Sequence, residues 1–127
     1  MTNLDIANRF FDALVAGDAA VLDDLLAPEA TFWTNHASVS LGREQFLLRF
    51  ISIGSAIVNF RFENARRSRT PSGFVEQHTL RGTTGSGSSL AIHACLIGAV
   101  ADGKITRLEE YSDSDQTRAL AAAGSSS

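Results

Sequence analysis

Apolar residues in the first part of the chain recur at the three- and four-residue spacing of α-helices. Leu4, Ala7, Phe11 and Leu14 form one such set, and Gly17 follows at the position where a helix would end. Capping residues and the proline that follows the second set mark the other helix ends. Three segments are therefore predicted to be helices: 2–17, 18–27 and 42–54.

From residue 56 onward the pattern changes to alternation between apolar and polar residues, which is the spacing of β-strands. Val58, Phe60 and Phe62 show this alternation clearly. Segments rich in glycine and serine separate the alternating stretches and predict turns between them. Strands are predicted before the third helix and after it, at 30–36, 56–69, 73–82, 90–100 and 104–113.

This order of elements predicts an α+β fold. Three N-terminal helices are expected to pack on one face of an antiparallel-rich sheet, and a curved sheet would enclose a cone between its concave face and the helices. Such a cone is the default place to look for a ligand. One domain is predicted over residues 1–118, followed by a flexible C-terminal tail over residues 119–127.

The composition narrows the classes of partner and location. With 127 residues, 44% of them hydrophobic, the chain is long enough for one core and too short for a second domain. A net charge of -3 and the lack of a long basic run argue against nucleic acid as a partner. Cys95 is the single cysteine, so no internal disulfide can form and a cytoplasmic location is expected. No segment approaches the roughly 20 apolar residues of a membrane span, so no membrane partner is expected.

The predicted strand over residues 73–82 carries two ionisable residues on a face that should be apolar. Glu76 and His78 share the side of the strand that also presents Phe74 and Leu80. Such residues are either exposed to solvent at the strand edge or line a cavity. If they line a cavity, a carboxyl and an imidazole in apolar surroundings can form a general acid–base pair.

Three segments carry a resemblance to a known family: AGDAAVLDDLLAPEATF at 16–32, LGREQF at 41–46 and DGKITRLEEYSD at 102–113. With them the chain resembles the SnoaL-like polyketide cyclase family of the nuclear transport factor 2-like superfamily, which also contains ketosteroid isomerases and limonene-epoxide hydrolases. The resemblance covers residues 4 to about 118. It implies a cone-shaped fold, an apolar small-molecule ligand and a homodimer that associates through the convex face of the sheet.

The resemblance to ketosteroid isomerases extends to the fold and not to the catalytic groups. Those enzymes carry a tyrosine, a general-base aspartate and a protonated aspartate at positions that fall here on Phe10, Thr34 and Cys95. None of the three chemical groups is present at these positions. The resemblance therefore does not imply steroid isomerisation by that mechanism.

The resemblance to epoxide hydrolases retains one acid. Their Asp-Arg-Asp relay ends on an aspartate that falls here on Glu110, and its Arg-x-Asp part falls near Glu76 and His78. Their Tyr-x-Asn pair falls on Phe32 and Thr34, and no arginine of the relay is evident. Epoxide hydrolysis by that relay is therefore in doubt.

Placing Cys95 in the cone by this resemblance fixes the faces of the strands, because side chains alternate with a period of two. His93 then also points inward, and a hairpin centred in residues 83–88 brings His78 roughly level with it. The expected catalytic residues are His78, His93, Glu110 and Glu76. The expected substrate-binding residues are Phe10, Phe32, Thr34, Cys95, Leu80 and Leu108.

The leading hypothesis is a small-molecule enzyme in which a histidine–glutamate general acid–base pair moves protons on an apolar polyketide-like or steroid-like compound. Isomerisation, cyclisation, dehydration and hydrolysis all remain open, and no metal or cofactor is expected. The alternative is a non-catalytic ligand-binding or dimerisation module of the same fold. A register slip of one residue in the last strand would instead place Glu109, Tyr111 and Asp113 in the pocket.

Overall fold

A computed structural model describes residues 1–37 and 39–125 of the chain. Helices and strands alternate within these residues in the following order. They are α1 (Asn3–Ala16), α2 (Ala19–Leu25), β1 (Leu26–Thr34), β2 (Leu41–Gly42), α3 (Arg43–Ala56), β3 (Val58–Thr70), β4 (Gly73–Thr83), β5 (Ser89–Ala101), β6 (Lys104–Ser112) and α4 (Ser114–Ser125).

The strands form one curved, open sheet in the order β2-β1-β6-β5-β4-β3. β1 runs parallel to β6, and the other neighbouring strands are antiparallel. The register of β3 against β4 is interrupted twice, and Asn59 and Asn64 have positive φ angles of 56° and 55° near these points. Such bulges bend a strand, and asparagine tolerates this conformation better than most residues. The predicted α+β fold with an antiparallel-rich, cone-forming sheet is confirmed.

The first helix follows from its capping residues. The Thr2 hydroxyl accepts a hydrogen bond from the Asp5 backbone N–H (3.1 Å), and the Asp5 carboxylate accepts one from the Thr2 N–H (2.9 Å). This reciprocal capping box satisfies two N–H groups that the helix itself cannot pair. Gly17 ends the helix in the left-handed conformation with φ 67°. The predicted bounds of α1 are therefore confirmed.

Buried aromatic rings join the helices to the concave face of the sheet. Phe11 of α1 meets the ring of Phe74 edge to face with centroids 6.0 Å apart, and Phe10 stacks on Phe46 of α3 at 6.3 Å. Phe74 lies across the sheet over Gly98, where an added Cβ would stand only 2.3 Å from the ring. Gly98 is therefore required for the close approach of this ring to β5.

The structure corrects the predicted end of the domain. The sequence pattern predicted no helix after the last strand, whereas α4 covers Ser114–Ser125. Leu120 of α4 packs against a buried cluster that includes Ile53 and Leu80. The alanine-rich segment therefore becomes part of the wall above the concave face, up to the last described residue. The mobility predicted for residues 119–127 stays a prediction, and residues 126–127 lie outside the described residues.

The earlier strand and helix bounds shift as well. β1 begins at Leu26 and runs through Pro28, so the second helix ends earlier than predicted, at Leu25. The third helix continues past Gly54 to Ala56. Of the helices that the structure describes, none has the length and apolar character needed to cross a membrane.

Candidate active site

A cavity of about 590 Å³ lies between the concave face of the sheet and helices α1, α3 and α4. Most of its wall is apolar, with aromatic rings on several sides: Phe11, Phe32, Phe50, Phe60 and Phe62. A smaller set of polar side chains interrupts this wall, and its members are Thr34, His36, Arg49, His78, Glu110, Ser114, Thr117 and Arg118. An apolar cavity with a few convergent polar groups is typical of a small-molecule site.

The strand register places three of the polar groups in one row. Thr34 of β1 pairs with Glu110 of β6, Glu110 pairs with Leu96 of β5, and Leu96 pairs with Glu76 of β4. Paired residues share a face of the sheet, so all four point to the concave side. His78 follows two residues after Glu76 on that same face.

Glu76 is completely buried and is held by two partners. Arg67 Nε donates a hydrogen bond to Glu76 Oε1, and Glu76 Oε2 lies 2.7 Å from His78 Nδ1. The guanidinium of Arg67 also donates to Asn8 Oδ1 at 2.7 Å and covers the Phe11 ring at 4.7 Å from its centroid. A buried carboxylate needs such compensation, because an unpaired charge in this position would be strongly unfavourable.

The environment of His78 fixes how the ring can act. Its side chain is 2% exposed, and it stacks on Phe62 with centroids 4.1 Å apart and planes 24° apart. The carboxylate of Glu76 accepts a hydrogen bond from Nδ1–H, since the same carboxylate also accepts from Arg67. Nε2 of the neutral imidazole then carries the lone pair. His78 lines the cavity, and this arrangement makes Nε2 a proton acceptor there.

Glu110 provides the second ionisable group of the cavity. Burial raises the pKa of the Glu110 carboxyl above its ordinary value, and the opposing effects of His78 and Arg49 are smaller. Within the described chain no protein group is hydrogen-bonded to this carboxyl. Glu110 is separated from β4 by β5, which puts two strand spacings, or about 10 Å, between its backbone and that of His78. A ligand group can therefore lie between the two side chains.

Six of the residues predicted for the site point to the concave face. Five of them line the cavity: His78, Glu110, Phe32, Thr34 and Leu80. Glu76 lies behind His78 and is not part of the cavity wall. The inward orientation of Glu110 also excludes the alternative register of the last strand. Tyr111 lies on the opposite face, where its ring meets Trp33 at 5.2 Å.

The predicted inward orientation of His93 and Cys95 is wrong. His78 pairs with Ala94, while His93 pairs with Thr79 and Cys95 with Gln77 on the outer face. His93 Nδ1 lies 3.0 Å from the Thr79 hydroxyl, and Leu96 takes the inward position that was expected for Cys95. The hairpin is centred on Ser86, half a residue beyond the position that the prediction assumed, and this shifts the register by one residue. Such a shift moves every side chain of a strand to the other face.

Phe10 and Leu108 were predicted to bind substrate and lie instead in the core. Phe10 is 0% exposed and packs against Phe46, whereas its neighbour Phe11 reaches the cavity. Adjacent residues on a helix point about 100° apart, so only one of the two phenylalanines can face the sheet. Leu108 is 1% exposed and belongs to the main core cluster.

Sequence reasoning missed the arginines of the site. Arg67 faces Glu76 across the β3–β4 hairpin, but the bulge near Asn64 adds one residue between Phe62 and Arg67 and reverses the alternation of β3. Arg49 could have been found, because it precedes Phe50 on the face of α3 that meets the cavity. No group of three or more metal-ligating side chains occurs in the part of the chain that the structure describes.

The fold and this cavity define a class of proteins. A curved, open sheet with helices over its concave face and a ligand-sized cavity between them is the architecture of the nuclear transport factor 2-like and ketosteroid isomerase-like proteins. The sequence profile of the SnoaL-like domain matches residues 7–108. The chain belongs to the SnoaL-like domain family. Among curated protein sequences, none matches the chain significantly.

Several solved structures share the fold. A candidate polyketide cyclase from Pseudomonas putida superposes with a TM-score of 0.80 at 19% identity, covering 91% of this chain and 95% of that one. An epoxide hydrolase of the limonene-epoxide hydrolase type from Mycobacterium tuberculosis gives 0.76 at 18% identity, covering 98% and 96%. A protein with a ketosteroid isomerase-like fold from Catenulispora acidiphila, in complex with trimethylamine, gives 0.77 at 17%, covering 98% and 95%. At these identities the similarity establishes the fold alone.

Proposed function

We propose that this protein is a small-molecule enzyme that works without a cofactor and uses His78 and Glu110 as a general base and a general acid. The observation that carries the proposal is the hydrogen bond between Glu76 and His78 Nδ1, which leaves Nε2 of a neutral imidazole in an apolar cavity. Glu110 lies on the same concave face two strands away. Its raised pKa favours the protonated form that an acid needs.

The two groups can act together on a ketone. His78 Nε2 takes a proton from the carbon next to the carbonyl, and the carbonyl oxygen receives a proton from the Glu110 carboxyl, which gives a neutral enol. Arg67 and Glu76 support this step, because their charges are already paired and the carboxylate can stabilise the imidazolium that forms. Reprotonation at another carbon completes an isomerisation, while attack of the enol carbon on a second carbonyl completes a cyclisation.

The shape of the cavity favours a flat apolar compound. Aromatic rings from α1, β1, α3 and β3 form the wall, and the volume of about 590 Å³ suits a compound of two or three fused rings. The similarity of the fold to a candidate polyketide cyclase supports this class of compound. We propose proton transfer on a polyketide-like or steroid-like ketone as the reaction class.

The proposal is tested by deuterium exchange at the carbon next to a ketone. A panel of polyketide-like and steroid-like ketones is incubated with the protein in D₂O and followed by NMR, with stability measured in parallel. The wild-type protein should accelerate exchange on one class of ketone, and His78→Ala should lose about 10²-fold or more of that rate. His93→Ala is the matched control, because His93 lies on the outer face and should leave the rate unchanged.

Two results would contradict the proposal. Equal exchange rates for His78→Ala and the wild-type protein would exclude His78 as the base. Tight binding of ketones with no acceleration of exchange would favour the alternative, a non-catalytic ligand-binding module of this fold.

We also propose that the protein forms a homodimer through the outer face of the sheet. Trp33 and Tyr111 form an aromatic pair there, and the side chains of Tyr111 and Ile97 remain 44% and 43% exposed. Apolar groups exposed on a sheet face support a protein interface. Sedimentation velocity should show a dimer for the wild-type protein and a monomer for Tyr111→Glu, and a monomeric wild-type protein would contradict this proposal.

A further inference from the structure

The mouth of the cavity carries several cationic or titratable side chains from separate elements. Arg49 comes from α3, Arg118 from α4 and His36 from the loop after β1, and all three line the cavity. Glu110 and His78 are the ionisable groups of the cavity wall on the sheet itself. The charges at the mouth therefore differ in character from the acid–base pair on the sheet.

The protein provides local partners for two of these groups. Arg118 forms an ion pair with Asp115 at 2.8 Å, and both belong to α4. His36 Nε2 lies 3.4 Å from the hydroxyls of Ser112 and Thr117. These contacts account for the orientation of both groups without any ligand.

Arg49 is different, because no carboxylate forms an ion pair with it within the part of the chain that the structure describes. Glu110 is the acid whose pKa Arg49 influences, and burial outweighs that influence. Glu110 therefore does not act as the counterion of Arg49. A guanidinium directed at a ligand cavity without a counterion is a recognition site for an anion.

Resting on the function proposed above, we propose that the substrate is a keto acid whose carboxylate is bound by Arg49 at the cavity mouth. Its apolar body lies among the aromatic rings, and its ketone reaches His78 and Glu110 on the sheet. A single guanidinium matches one carboxylate, because its N–H groups pair with the two oxygens in a fork. A phosphate would bring nearly two charges and would need further unpaired donors.

A matched pair of probes tests this assignment. The acid is 4-(2-naphthyl)-4-oxobutanoate, which combines an aromatic body, a ketone and a carboxylate, and the control is its methyl ester. Both are titrated into the wild-type protein and into Arg49→Gln by calorimetry at low and at moderate salt. Arg49→Gln should weaken binding of the acid about fivefold and leave the affinity for the ester unchanged, since the partly exposed pair is screened by water.

Two further variants sharpen the result. Arg118→Gln removes an arginine from the same mouth, but one that is already paired with Asp115, so acid binding should change less than twofold. Arg49→Lys keeps the charge and loses the fork, so its affinity for the acid should lie between those of the wild-type protein and Arg49→Gln.

The outcomes separate this inference from the proposed function. Equal weakening of acid and ester by Arg49→Gln, or no weakening of either, would overturn the assignment of Arg49 while the acid–base site stands. Failure of both probes to bind the wild-type protein would overturn the ligand site itself and the proposed function with it.

Discussion

Replacing Arg67 with methionine should lower the free energy of unfolding by about 3 kcal/mol. The variant keeps the length of the side chain but removes the cation from Glu76, which is 0% exposed. Removing one partner of a buried ion pair typically costs about 3–5 kcal/mol. The lower end applies here, because the Arg67 side chain is 20% exposed and His78 remains beside the carboxylate.

Urea denaturation at pH 7, followed by circular dichroism, measures this loss. Arg61→Met is the matched control on the same strand, since Arg61 pairs with Glu63 and both side chains are about 40% exposed. That exposed pair should contribute about 0.5 kcal/mol. In the double variant Arg67→Met/Glu76→Gln the buried charge is gone, so about 2 kcal/mol of the loss should be recovered.

Two results would refute this reasoning. The first is a loss for Arg67→Met that is no larger than the loss for Arg61→Met. The second is simple additivity of Arg67→Met and Glu76→Gln, because two side chains in direct contact with a buried charge between them should be coupled.

Two further predictions concern other parts of the fold. Burial raises the pKa of Glu110, so the native state holds this proton more tightly than the unfolded state, and stability should fall as pH rises from about 4.5 through the raised value. Glu110→Gln removes this fall, so its stability relative to the wild-type protein should increase between pH 4 and pH 8, and a constant difference in urea denaturation would contradict it. Gly98→Ala should lower the free energy of unfolding by about 2 kcal/mol, because its Cβ would stand 2.3 Å from the Phe74 ring. An unchanged melting temperature would show that the ring moves without cost.

Local signals were sufficient for the helices and for the face of β4. The capping box at Thr2 and the left-handed Gly17 set the ends of α1 without help from the rest of the molecule. Glu76 and His78 were placed on the concave face by the alternation of a single strand. Such patterns depend on residues close in sequence, so they can be found before any tertiary structure is known.

Features that depend on register could not be predicted in the same way. The orientation of His93 and Cys95 depended on the centre of a glycine-rich hairpin, where many turns are possible. The position of Arg67 depended on a bulge whose presence only the pairing of β3 with β4 reveals. α4 was missed because its alanine-rich sequence has a weak apolar face, and the contact of Leu120 with the sheet cluster is a tertiary feature.

The residues that prepare the proposed base lie within one hairpin, since Arg67, Glu76 and His78 all fall inside twelve consecutive positions of β3 and β4. The mouth of the cavity is built from separate segments, with Arg49 on α3 and Arg118 on α4. Substitutions in those helices can therefore alter which compounds are accepted while the hairpin is inherited intact. Descendants of this protein can diverge in substrate by changing one part and conserve the proton transfer by keeping the other.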